Sequence, residues 1–143
     1  MTTFTQGLRS STSNEWTTPK HLFDELNREF KFTVDAASTH ENALVGKHWT
    51  LAEDGLTQCW DGERVWCNPP YGRQISKWVK KASEAVGGVV VMLIPARTDT
   101  AYWHDYVFPN ASDIRFIRGR LHFSDSKNAA PFPSAIVVFE RWA

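Results

Sequence analysis

In the segment TPKHLFDELNREF, Leu22, Phe23, Leu26 and Phe30 recur at the spacing that puts them on one face of a helix. Thr18 stands where an N-cap is wanted and Pro19 at the first helical position, so the helix is predicted to begin there. The same periodicity returns at Ile75, Trp78, Val79, Ala82 and Val86, which predicts a second helix after Gly72. KFTVDAAS predicts a short strand ending near Asp35, and ERVWCN a strand running straight into Pro69 and Pro70. GGVVVMLIP is unbroken and β-branched, the pattern of a strand buried on both faces of a parallel sheet. Asp99 is placed to cap a third helix carrying Tyr102, Trp103, Tyr106 and Val107. IRFIRGRLHF and SAIVVFE predict two last strands, separated by a polar loop from Ser124 to Pro133. From Thr39 to Gly62 the pattern is weak and predicts irregular structure, with one short strand around Val45 to Trp49.

Strands alternating with helices predict an α/β layer fold. It has a mainly parallel central sheet, an antiparallel C-terminal edge and helices on both faces. Residues 1–13, rich in Ser and Thr without periodicity, predict a flexible arm, and residues 14–143 a single domain. In such sheets ligands sit beyond the carboxyl ends of the strands. Asp35 to Ser38 and Asn68 to Tyr71 both fall there.

Composition narrows the class without choosing a function. A chain of 143 residues, 42% hydrophobic and 22% charged, suits one folded domain with one core. Its longest apolar run, Val89 to Ile94, is too short to span a bilayer, and no signal-peptide pattern opens the chain. Cys59 and Cys67 make neither a disulfide framework nor a metal cluster, so reduced thiols in a cytoplasmic protein are expected. The five histidines lack metal-ligand spacing, and no metal is expected. Sixteen basic residues balance sixteen acidic ones, so a nucleic-acid partner would need a local basic surface. Most of the seven tryptophans should be packing, although aromatics also stack on bases.

The stretch VWCNPPYGRQ carries the chemistry. Prolines fix φ and stiffen the loop, so the residue before them is held in place. Asn68 offers a side-chain carbonyl and Pro69 a backbone carbonyl that no helix or strand consumes. Tyr71 adds a flat ring. Two acceptors beside a ring suit a planar molecule bearing an amino group, such as a nucleobase. Acceptors that hold the hydrogens of a weakly nucleophilic exocyclic amine stabilise the charge that develops as it attacks. The plainer reading ends a strand with prolines and packs Tyr71 on the core.

NPPY after an apolar strand resembles motif IV of S-adenosylmethionine-dependent amino-methyltransferases. The ordered set NEWTTPKHLFDELNREF, FTVDAAS, DGL, NPPYGRQISKWVKKA, LIPARTDTAYWHDYV, FIRGRLHF and PSAIVVFE resembles the phage-type DNA adenine methyltransferase (Dam-like) family. The resemblance implies a Rossmann-like methyltransferase fold that binds S-adenosylmethionine and methylates the exocyclic N6 of adenine in double-stranded DNA. Asn68, Pro69, Pro70 and Tyr71 would form the catalytic loop, with Tyr71 stacking on an adenine rotated out of the duplex. Trp16, Thr18 and Pro19 match the segment at the cofactor's methionine end. Asp35 and Ala36 match motif I, while Asp54, Gly55 and Leu56 match the segment near the cofactor's adenine. Asp35 and Asp54 also have ordinary readings as turn caps.

The glycine-rich turn common after motif I is missing from DAASTHEN, and Glu41 and Glu53 are the candidates for the ribose hydroxyls. No insertion for a separate target-recognition domain is evident, and a homodimer is left open. Arg73, Arg97, Arg118 and Arg120 are the candidate DNA contacts, whereas Lys77, Lys80 and Lys81 fit a solvated helix face. The alternatives are an RNA or protein-glutamine amino-methyltransferase, which share NPPY, and a catalytically idle nucleic-acid-binding module of the same fold.

Overall fold

Lys20–Phe30 forms the first helix, α1, burying Phe23, Leu26 and Phe30 as the periodicity requires. The computed structural model describes residues 16–123 and 128–142, so the arm expected over 1–13 lies outside it. Pro19, not Thr18, occupies the N-cap position, and no side chain caps the helix. Thr18 is buried and its hydroxyl oxygen is engaged by Asn68, which is why it does not cap.

The remaining elements are β1 (Val34–Asp35), β2 (Arg64–Cys67), α2 (Ile75–Glu84), β3 (Gly88–Pro95), a π-helical turn (Trp103–Val107) leading into α3 (Phe108–Asn110), β4 (Asp113–Phe116) and β5 (Ser134–Arg141). They build one sheet in the order β1-β2-β3-β5-β4. β1, β2 and β3 are mutually parallel, and β5 is antiparallel to both β3 and β4. The C-terminal strand is thus antiparallel as expected, but it lies one place inside the edge, which β4 occupies.

The strand expected near Val45 to Trp49 reduces to a single bridge between Asp35 and His48. Asp35 N–H donates to Lys47 C=O at 3.0 Å, and Trp49 N–H to Asp35 C=O at 2.9 Å. Pairing of IRFIRGRLHF stops at Phe116, with one more bond from Ile117 N–H to Ser134 C=O at 3.0 Å. Beyond it Gly119 takes φ +73°, a left-handed conformation that turns the chain off the sheet edge. The turn into the third helix is closed by Thr100 on Arg97 C=O, through both its N–H and its hydroxyl, and not by Asp99.

Register sorts the side chains into two faces. Asp35 and Trp66 share one face with Ile136 and Arg115. There Phe23 meets the Trp66 ring at 5.5 Å and the Arg115 guanidinium lies 5.4 Å from the Phe30 ring. α1 therefore covers this face, and a fork of Arg115 onto both Glu29 oxygens at 2.7 Å ties it to β4. Phe116 belongs to the other face, where it stacks on Trp103 at 6.2 Å. The π turn and α2 pack together on that side. Helices cover both faces.

β2 and β3 approach closely at Gly88, where an added Cβ would lie 2.1 Å from Glu63 C=O. Gly88→Ala is expected to cost about 2–3 kcal/mol, because backbone rather than a movable side chain blocks the methyl group. A fall in the urea midpoint at unchanged slope would measure it.

Candidate active site

β1 and β2 end side by side, and the segments that leave them enclose a cavity of about 440 Å³. Of the residues singled out in the sequence, Trp16, Thr18, Asp35, Ala36, Asp54, Gly55, Asn68, Pro69 and Pro70 line it. Pro19, Leu56 and Tyr71 do not, nor do Arg73, Arg97, Arg118 and Arg120. Pro19 is buried where α1 begins, and Leu56 N–H donates to the Asp54 carboxylate at 3.2 Å.

Gly55 explains how the DGL segment reaches the tip of β1. A Cβ there would sit 2.2 Å from Ala36 C=O and 3.0 Å from the Trp78 ring, so only glycine allows the approach. Trp60 Nε1–H holds the Gly55 carbonyl from behind at 2.9 Å.

Asp35 takes over the work of the missing glycine-rich turn. Its carboxylate accepts the N–H groups of Ala37 at 3.3 Å and Leu44 at 3.1 Å, closing the loop that follows β1. Burial pushes this carboxyl up to about 6, against the pull of those two N–H bonds. Farther along, Asn42 Oδ1 accepts Thr39 N–H at 2.8 Å, and His40 Nδ1 meets His48 Nε2 at 2.9 Å. His48 Nδ1 faces the carbonyls of Gly46 and Val45, so that nitrogen carries the hydrogen.

Sequence reasoning missed part of the wall: His40, Asn42, Trp49, Trp66 and Trp78 all line the cavity. The high tryptophan count was a signal, but nothing in one sequence told a lining tryptophan from a packing one. Of the two glutamates considered, Glu41 lines the cavity and Glu53 does not. Glu53 is held in its own turn, accepting from both N–H and hydroxyl of Thr50 at 2.7 Å.

The NPPY turn is built by a gap in the sheet. Val89 N–H donates to Glu63 C=O, which sets the phase of the β2–β3 ladder. Continued with a period of two, that phase places residue 69 opposite Leu93 C=O. Pro69 has no hydrogen to donate there. Tyr71 fills the vacancy: its hydroxyl donates to Leu93 C=O at 2.9 Å. Burial raises the phenol well above its ordinary range, so it stays a donor. Its ring is buried, edge-on to Phe132 at 5.6 Å and Phe123 at 6.5 Å. In this structure the tyrosine is turned inward, as the plainer reading of the turn had it, with its hydroxyl taken by the Leu93 carbonyl.

Asn68 is oriented from the α1 side of the sheet. Its Nδ2 donates to Trp16 C=O and, at 2.9 Å, to Thr18 Oγ1. A backbone carbonyl only accepts, so the nitrogen of the amide must face it. Asn68 Oδ1 is left buried without a hydrogen-bond partner among the described residues. An acceptor in that state lacks the bond that buried polar groups normally make.

The four arginines are exposed and follow strand ends at the cavity's edge of the sheet: Arg73 after β2, Arg97 after β3, Arg118 and Arg120 after β4. Arg97 lies over the Phe132 ring at 5.2 Å, and Phe132 also packs on Trp16 at 5.4 Å. Lys80 pairs with Glu84 at 2.6 Å on an exposed helix surface.

A family model described as DNA N-6-adenine-methyltransferase (Dam) matches residues 6–142. A DNA N-6-adenine-methyltransferase of Escherichia phage T1 is 34% identical over 110 residues, 74% of this chain and 45% of that protein. Another, of Haemophilus phage HP1, is 28% identical over 142 residues, 92% of this chain and 82% of that protein. The chain thus spans less than half of the phage T1 relative and most of the phage HP1 one.

Two outcomes follow from the buried groups. Asp35 should titrate near pH 6 in a carbon-detected NMR titration, above its unfolded value of about 3.9. The stability it contributes is full below about pH 4 and is lost as pH rises through 6, because the folded state favours the proton. Tyr71→Phe should leave Leu93 C=O unpaired and cost about 1–3 kcal/mol in chemical denaturation, although the ring is preserved.

Proposed function

Since the chain belongs to the DNA N-6-adenine-methyltransferase (Dam) family, we propose that it transfers a methyl group from S-adenosylmethionine to N6 of adenine in double-stranded DNA. The observation that carries this reading is the Asn68 amide, its nitrogen anchored on Trp16 and Thr18 and its oxygen, in the cavity wall, unpartnered among the described residues. Oδ1 of Asn68 and the carbonyl of Pro69 would accept the two hydrogens of the exocyclic amine. That arrangement favours a tetrahedral nitrogen and stabilises the positive charge developing on it, without a strong base. The adenine would enter from a duplex out of which it has been rotated. Tyr71 serves by holding the turn in place.

The cavity suits a nucleoside-sized cofactor. Its volume lies within the ordinary range for small-molecule sites, and tryptophan rings and small residues form much of the wall. Ser38 Oγ, buried without a partner among the described residues, offers one further polar contact in that wall. Trp16, Asp35, Ala36, Asp54 and Gly55 would hold the cofactor, whose sulfonium supplies an electrophilic methyl group when bound, while Thr18, in the same wall, has its hydroxyl oxygen engaged by Asn68. Pro19 and Leu56 support those residues from behind. Arg73, Arg97, Arg118 and Arg120 would meet the DNA at the same edge of the sheet, in the cytoplasm of a bacterial host.

Incubation with methyl-labelled S-adenosylmethionine and adenine-containing duplex DNA should yield N6-methyladenine. Label found only in cytosine, RNA or protein would overturn the proposal. Asn68→Ala should lower kcat by about 100-fold while cofactor affinity stays within a few-fold, since the amide acts mainly in the transition state.

A further inference from the structure

We infer that Thr18 is a positioning residue for methyl transfer: its hydroxyl oxygen, together with the Trp16 carbonyl, locks the Asn68 amide so that oxygen rather than nitrogen is presented to the substrate amine. The inference rests on the methyl-transfer reading above and assigns to Thr18 a task distinct from cofactor contact.

A side-chain amide is almost symmetric in shape and opposite in chemistry at its two ends. Turned over, Asn68 would direct two N–H donors at an amine that itself carries hydrogens, and the charge developing on that amine would meet repulsion. One bond, to Trp16 C=O, settles which end is nitrogen. It leaves the amide free to swing about that contact. The second bond, 2.9 Å to Thr18 Oγ1, engages the nitrogen again and fixes the plane. Oδ1 then lies on the opposite side, where no group among the described residues takes it.

Thr18 is well suited to be a fixed point. It is 6% exposed, and the following Pro19 restricts its backbone to extended conformations. Pro19 C=O accepts the first helical bond of α1, from Phe23 N–H at 3.2 Å, so the position of Thr18 is inherited from a packed helix. On its other side the Trp16 ring packs on Phe123 at 5.2 Å and Phe132 at 5.4 Å. Those two rings also carry Tyr71, three residues beyond Asn68. Both partners of the bond are thus seated on one aromatic wall, and their separation is set independently of any ligand.

The test compares Thr18→Val, which keeps shape and removes the oxygen, with Thr18→Ser, which keeps the oxygen. Thr18→Val should lower kcat by about 10-fold, with KM for DNA and Kd for S-adenosylmethionine within about 2-fold, as expected for loss of one orienting bond. Thr18→Ser should stay within about 3-fold of the parent in kcat. A Thr18→Val enzyme with unchanged kcat would overturn the inference, and so would one that loses cofactor affinity alone. A second measurement does not need activity. The Asn68 side-chain NH2, assigned by its disappearance in Asn68→Ala, should exchange with solvent at least about 10-fold faster in Thr18→Val than in the parent or Thr18→Ser. Unchanged exchange would overturn the lock even if the parent methylates DNA. Conversely, a parent that transfers no methyl group refutes the proposed function, while the exchange rates still decide whether Thr18 fixes the amide.

Discussion

Residue 69 has no amide hydrogen, and the edge of the sheet is arranged around that absence. The ladder between β2 and β3 cannot go past Cys67 and Met92, while β3 continues to Pro95 against β5. Leu93 C=O is left facing a position that cannot donate. A phenol from two residues farther on supplies the bond, which draws the chain inward and sets the curvature of the turn. Asn68, one residue before the break, carries its side chain on the Trp66 face of the sheet, the face that α1 covers, and there the entry segment reaches it.

The second requirement is met from far along the chain. The segment entering α1 is separated by about fifty residues from the turn it orients, and the two meet because α1 and β2 share a sheet face. The aromatic group of Trp16, Tyr71, Phe123 and Phe132 joins the entry segment, the turn and the loop before β5. Arg97 on Phe132 extends it to the exposed edge. Rigid rings suit this task, since they carry large contact area with little freedom to lose.

Much of this architecture was legible in the sequence because it is written in periodicity. The faces of α1 and α2, the buried run of β3 and the strand ahead of the prolines are all patterns of burial. The site was legible as a set of segments, because chemistry-bearing residues stood at strand ends. Partner choice was not legible. Thr18 looked like a cap because its neighbours in sequence fit one, yet its hydroxyl is taken by a residue fifty positions away. Tyr71 could be read as a ring beside the two acceptors or as packing on the core, and the Leu93 carbonyl that its hydroxyl meets was not visible in the sequence. The loop after Asp35 looked deficient without glycines, and a carboxylate holding two amides makes good the lack. RGRLHF read as strand by composition, but the β4–β5 ladder ends at Phe116 and Gly119 turns the chain away, so that Leu121 C=O instead accepts Ala130 N–H at 2.7 Å.

The clasp between the entry segment and the turn has a meaning for the folding chain. A bond that closes over so long a separation carries a loop-closure cost, which the contacts of helix, strand and aromatic wall must offset. Until it forms the asparagine rotates freely and offers either end to whatever approaches. A partly folded chain therefore carries the NPPY string without the two bonds that orient Asn68.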